Sequence, residues 1–153
     1  MSYEDVFQET LKVYEHLTDS NSKNSIELSL LSGHLLIESA INILLEKKLV
    51  KPSLLKLDRM MFAQKMNLLR AIIGDEEFTW QWDAMKRMNK LRNTFAHDLE
   101  KPTFQNDIDS FVDLVRNKHS NEHLRKNFSK EEKFVWAITS IHTYFMRALQ
   151  NEN

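Results

Sequence analysis

The fold of this chain is decided by residues 25–49, which read SIELSLLSGHLLIESAINILLEKKL. Apolar residues cover nearly every side of a helix built on this stretch, so the segment predicts a long helix from a Ser25 cap to about Leu49. A helix with so little polar surface is expected at the centre of a helical bundle. Its polar exceptions are four residues apart and form one stripe on the helix, made of His34, Glu38 and Asn42.

The rest of the chain repeats the helical spacing of apolar residues. Further helices are predicted over residues 4–18, from an Asp58 cap to Gly74, from about Thr79 to Ala96, and over about 105–117 and 130–150. Only two Gly and two Pro occur in 153 residues, too few for the turns of a β-sandwich or barrel. The prediction is an all-α, single-domain bundle of about six helices that spans residues 1–153.

Composition and charge exclude several classes of function. The chain has no Cys, which excludes a disulfide scaffold and every cysteine-based metal or nucleophile site. The acidic start, MSYED, lacks the features of a signal peptide, so we expect a cytoplasmic protein that does not insert into a membrane. The formal net charge is -1, so nucleic acid must be held by a local basic patch or by a second copy of the chain.

The fourth predicted helix carries the candidate chemistry. Its side chains at core spacing are Ala84, Met88, Leu91 and Phe95. On a regular helix, Arg92 lies about 70° from the centre of this apolar stripe and His97 about 150° from it. We therefore expect Arg92 to flank the core and His97 to face solvent or a partner, while a frayed or 3₁₀ last turn would bring both to one ligand. On spacing alone, the favoured interpretation is structural: Arg92 pairs with a carboxylate and His97 caps helix carbonyls at the end of the helix.

The segment MNKLRNTFAH, residues 88–97, resembles the Arg-Asn-x-x-Ala-His signature of the HEPN superfamily of helical domains. The likeness extends to the order of the helices over roughly residues 25–100. It implies a metal-independent endoribonuclease or RNA-binding protein of a toxin-antitoxin or defence type, without a cofactor and acting as a homodimer. It also implies that His97 transfers a proton at the attacking 2′-hydroxyl or the leaving oxygen, while Arg92 stabilises charge on the phosphate.

Four further residues are candidates for supporting roles at this site. Asn93 either orients the motif by hydrogen bonding or satisfies the end of the helix. Glu38 either pairs with Arg92 across two helices or belongs to a stripe that faces solvent or a dimer partner. Lys86 and Lys90 form a basic face beside the motif, which either contacts phosphate or is an ordinary solvated surface.

Other interpretations of the chain are set against the ribonuclease hypothesis. A metal site is not predicted, because no second ligand pair accompanies His34 and Glu38. The tryptophans are interpreted as core or interface anchors rather than base-stacking platforms; they are Trp80, Trp82 and Trp136. The competing function is a non-catalytic helical module that binds or regulates another protein and keeps the motif for folding or dimerisation.

Overall fold

The structure, a computed structural model, describes residues 8, 12, 15, 26–76, 78–97, 102–118 and 127–150. Over these residues the chain is all-helical, as predicted, and the helices are α1 Ile26–Lys48, α2 Phe62–Ile73, α3 Trp80–His97, α4 Phe104–Arg116 and α5 Lys130–Gln150. The predicted helix over residues 4–18 lies outside the described residues except at Gln8, Lys12 and Glu15, where the backbone is helical. The proposed Ser25 cap also lies outside them.

Helix α1 packs against α2, α3 and α5 and is the central helix of the bundle, as predicted. Gly33 permits the approach of α5, because a Cβ at this position would lie 2.7 Å from side-chain carbons of Ile138. Three leucines of α1 are exposed: Leu28, Leu31 and Leu35, with exposed fractions of 47%, 37% and 65%. By length and composition α1 could also cross a membrane, but half of its most apolar stretch is buried within the protein.

The start of α2 differs from the prediction. Asp58 lies inside a 3₁₀ turn, Leu57–Arg59, and does not cap the helix. Helix α2 begins three residues after that turn, and the backbone N–H of Met61 donates to Oε1 of Gln64 at 2.9 Å. A glutamine within the first turn thus provides the cap that the sequence assigned to an aspartate, because the 3₁₀ turn moves the helix start along the chain.

The turn between α2 and α3 sets the two helices side by side. Gly74 ends α2 as predicted, with a φ of 74° that favours glycine, and its N–H donates to the carbonyl of Arg70 at 2.8 Å. The Arg70 guanidinium donates to both carboxylate oxygens of Asp75, at 2.6 and 2.9 Å, and lies 6.0 Å from the ring centre of Trp82. These contacts hold the turn, so α2 and α3 become the two walls of a groove.

Helices α4 and α5 complete the core on the far side of α1 and α3. Phe104 at the start of α4 packs against Phe95, with ring centres 6.3 Å apart. Helix α5 begins with a reciprocal cap in which the Glu132 N–H donates to Ser129 Oγ at 3.1 Å and the Ser129 N–H donates to Glu132 Oε2 at 2.7 Å.

The tryptophans are packed on or in the core, which confirms their interpretation as anchors: Trp82 is buried, and Trp80 and Trp136 are partly buried.

Candidate functional site

A groove of about 880 Å³ lies between α2 and α3. Helix α3 supplies most of its lining because one of its faces turns away from the core. Among the described residues, the lining contains three cationic side chains and no acidic one, and it consists of Ala63, Met66, Asn67, Lys86, Arg87, Asn89, Lys90, Asn93, Thr94 and His97. Positive charge is therefore concentrated here in a chain whose formal net charge is -1.

The groove brings together four of the residues singled out from the sequence. Lys86, Lys90, Asn93 and His97 follow one another at spacings of four, three and four, which places them within about 60° of one another around a regular helix. Helix α3 stays α-helical through His97, so the last turn neither frays nor tightens. All four side chains are exposed, and they form what we call the groove stripe.

Arg92 does not flank the core as expected. It is exposed, and about 140° separates it from His97 on the regular helix. Its long side chain nevertheless reaches the rim of the groove, where Nη1 donates to Oδ1 of Asn93 at 3.3 Å. Arg92 thus contacts one residue of the groove lining, Asn93, and does not line the groove itself.

Glu38 has a different partner from the one proposed. Its Oε1 accepts a hydrogen bond from Nζ of Lys65 on α2 at 2.7 Å, and the exposed fractions of the two side chains are 23% for Glu38 and 4% for Lys65. Among the described residues no hydrogen bond or salt bridge joins Glu38 to Arg92, so the proposed pair is not formed. The carboxylate is turned inward, toward α2, and compensates a buried ammonium.

His34, one turn before Glu38, is also turned inward. The imidazole is 6% exposed, stacks on Phe62 with ring centres 4.3 Å apart, and its Nε2 lies 3.2 Å from Oδ1 of Asn89 on α3. Burial lowers the pKa of His34; the hydrogen bond to Asn89 and the charge of Glu38 oppose this shift, and the Arg92 charge adds to it. The imidazole is therefore neutral at neutral pH. His34 and Glu38 together tie α1 to both walls of the groove.

The basic side chains of the groove differ in whether they bond to other parts of the protein. Arg87 donates through Nη1 to Oγ of Ser110 on α4 at 2.5 Å, which ties it to the helix on the other side of α3. Lys86 and Lys90 have no salt bridge or hydrogen bond within the described residues. They are the cations best placed to accept an anionic ligand.

Comparisons with known proteins add no identification: no protein-family model, curated protein or solved structure matches this chain. The HEPN resemblance therefore stays a prediction that rests on the quoted residues. Within the described residues, no group of three His, Asp or Glu side chains could hold a metal ion.

Two residues of this region were missed by the sequence analysis. Asn89 lies one turn before Asn93 and three residues after Lys86, so the helical spacing of the groove stripe already pointed to it. Lys65 lies at core spacing on α2, among buried residues that include Phe62, Met66 and Leu69. A lysine at such a position needs an acidic partner, and Glu38 was the carboxylate in the polar stripe of α1.

Proposed function

We propose that this protein is a HEPN-type domain that binds single-stranded RNA in the groove between α2 and α3 and cleaves it without a metal ion. The observation that carries the proposal is the groove stripe, in which two lysines, an asparagine and a histidine line one face of one helix. Single-stranded RNA is bound by positively charged grooves that follow the backbone. The groove has this character in an otherwise neutral chain.

The roles of the residues follow from their places. Lys86 and Lys90 neutralise phosphates along the groove, and His97 lies at the C-terminal end of the stripe, where it can accept the proton of a 2′-hydroxyl. The 2′-oxygen then bonds to phosphorus as the bond from phosphorus to the 5′-oxygen breaks. The leaving oxygen takes a proton from water. Arg92, held at the rim by Asn93, stabilises the charge that builds on the phosphate.

We further propose that the domain acts in the cytoplasm as a homodimer. The surface that supports this is the exposed apolar stripe of α1, where Leu28, Leu31 and Leu35 recur at helical spacing. A second copy of the same stripe would cover it about a two-fold axis. Light scattering of the purified protein tests this, with Leu35→Lys expected to give monomers.

The second candidate function is a non-catalytic interaction module of the same fold, in a toxin-antitoxin or defence system. The same leucine stripe favours it, because exposed apolar surface also serves to bind an unrelated protein. The two functions are distinguished by the groove, since an interaction module does not need the groove stripe.

The test of the RNA proposal is binding, measured by fluorescence anisotropy with a labelled single-stranded RNA about 12 nucleotides long. The variant Lys86→Ala with Lys90→Ala removes two charges from the groove. The matched control, Lys47→Ala with Lys118→Ala, removes two exposed charges outside it. We expect only the groove variant to lower affinity, and its slope of log Kd against log salt to fall by about 1.4, since each phosphate contact contributes about 0.7. Equal affinities of the two variants would refute RNA binding in the groove.

Cleavage is tested with the same RNA in buffer that contains a metal chelator. His97→Ala should bind this RNA with little change and fail to cut it, because the imidazole is exposed and contributes its chemistry rather than its packing. Cleavage that survives this substitution, or that requires added metal, would contradict the mechanism and leave only RNA binding.

A further inference from the structure

Asn89 lies between the buried His34 and the open groove. Its side chain is half-buried, it lines the groove, and its Oδ1 is 3.2 Å from Nε2 of His34. An asparagine amide has two ends, a carbonyl oxygen that accepts hydrogen bonds and an amino group that donates two. Which end faces the groove determines what the groove can recognise.

The structure places the carbonyl oxygen of Asn89 on the side of His34. A carbonyl oxygen can only accept, so the neutral imidazole carries its hydrogen on Nε2 and donates it to Asn89. Stacking on Phe62 keeps the ring in place. Because the Asn89 oxygen is engaged on the α1 side, its amino group is left to face the groove.

The same arrangement recurs one turn later on α3. Arg92 donates to Oδ1 of Asn93, whose oxygen is thereby engaged at the rim. Two amide amino groups, one turn apart on the same helix face, are left as donors next to Lys86 and Lys90. A surface made of amino donors and ammonium groups suits a ligand that only accepts hydrogen bonds, and a phosphodiester is such a ligand.

We propose that Asn89 contacts the bound phosphodiester through its amino group and that His34 is a positioning residue that holds the amide in this orientation. This inference rests on the proposed function, because it assigns residues to the RNA-binding groove. It adds two residues that the motif does not contain. It also predicts that RNA affinity falls when the amino group of the amide, a donor, is replaced by an oxygen that can only accept.

The first experiment reverses that polarity. Asn89→Asp keeps the shape of the side chain and replaces the amino group by a carboxylate oxygen, and Asn67→Asp is the matched control that places the same charge on the opposite wall of the groove. With the labelled RNA, Asn89→Asp should lose at least about tenfold in affinity and Asn89→Ala about fivefold, since hydrogen bonds to charged groups are the stronger ones. Asn67→Asp should lose clearly less than Asn89→Asp. Equal losses at the two positions would overturn the assignment.

The second experiment tests His34 through its partner. His34→Leu should lower RNA affinity about as much as Asn89→Ala, and the two changes together should cost no more than either alone, because they remove one interaction. His34→Gln keeps an amide N–H near the position of Nε2 and should restore most of the affinity. Additive losses, or no rescue by glutamine in folded protein, would overturn the positioning role. If His34→Leu does not fold, the comparison of Asn89→Asp with Asn67→Asp still decides the role of Asn89.

Failure of the proposed function is recognised separately. If the wild-type protein does not bind the RNA, inorganic pyrophosphate is titrated into ¹⁵N-labelled protein and the side-chain amino resonances of Asn89 and Asn67 are followed. A shift of the Asn89 resonances alone would support the phosphate contact without RNA. Unchanged Asn89 resonances would overturn the inference as well as the function.

Discussion

The stripe of His34, Glu38 and Asn42 on α1 and the groove stripe on α3 look alike in sequence, since each places polar side chains at helical spacing. In the structure the two stripes lie in different environments. The first two α1 side chains point into the bundle and bond to Asn89 and Lys65, whereas the α3 side chains are exposed and line a groove. Polar spacing on a helix therefore identifies a face, and the neighbouring helices determine whether that face is structural or open to a ligand.

The two stripes are nevertheless connected. The α1 stripe bonds to α2 through Lys65 and to α3 through Asn89, and these two helices are the walls of the groove. A buried charge or amide that is hydrogen-bonded to a fixed partner also fixes the position of that partner. The α1 stripe thus fixes the positions of the two groove walls, and the groove stripe provides the side chains that can contact a ligand.

The largest effect that separates the stripes is expected at Glu38. Glu38→Ala leaves the ammonium of Lys65 buried without a partner, and such a loss costs about 3 kcal/mol or more in the free energy of unfolding. The matched control on the same helix is Glu46→Ala, which removes an exposed carboxylate and should cost no more than about 0.5 kcal/mol. Urea denaturation measures both losses in the free energy of unfolding. Equal losses would mean that the α1 stripe does not stabilise the fold.

Replacement of both members of the buried pair should be much milder than the loss of one. With Glu38→Leu and Lys65→Met together, no charge remains buried, and we expect the free energy of unfolding to return to within about 1 kcal/mol of the wild type. The same denaturation curves test this. A double variant as unstable as Glu38→Ala would show that the pair contributes more than the compensation of its two charges.

A smaller, pH-dependent effect is expected at His34. Burial lowers its folded-state pKa below the ordinary value of 6.5, so between these two values the unfolded chain binds more protons than the folded one. The contribution of His34 to stability is therefore complete above about pH 6.5, falls as the pH is lowered through this window, and stops changing below the folded-state pKa. Melting temperatures of wild type and of the non-titrating His34→Gln should converge as the pH is lowered. Parallel pH profiles would contradict the shift.

The smallest effects on stability are expected at the motif residues themselves. Arg92 and His97 are both exposed, so Arg92→Ala and His97→Ala should each change the free energy of unfolding by no more than about 0.5 kcal/mol. The sequence predicted instead that Arg92 flanks the core, with a pair to Glu38 as one alternative. Thermal melts of the two variants measure it, and a clear loss at Arg92 alone would restore a structural role for the guanidinium.

Much of the helical architecture followed from local patterns in the chain. The ends of α3, α4 and α5 lie within a residue or so of the predicted bounds, because apolar periodicity and breakers such as Gly74 act over a single turn. The start of α2 was misplaced because a 3₁₀ turn precedes the helix, and no propensity distinguishes Asp58 in such a turn from Asp58 as a cap. The groove stripe could also be predicted in part from the sequence, because its members all belong to one helix: Lys86, Lys90, Asn93 and His97.

The sequence by itself determined that the protein is helical, where most helices end, and which side chains share a face, because each of these depends on contacts within a few residues. Only the tertiary structure decided that Glu38 meets Lys65 and not Arg92, that His34 orients Asn89, and that α2 supplies the second wall of the groove. These pairings join residues 27 and 55 positions apart in the chain. They depend on how each helix is rotated and placed against its neighbours, and that rotation is set by the packing of the whole core.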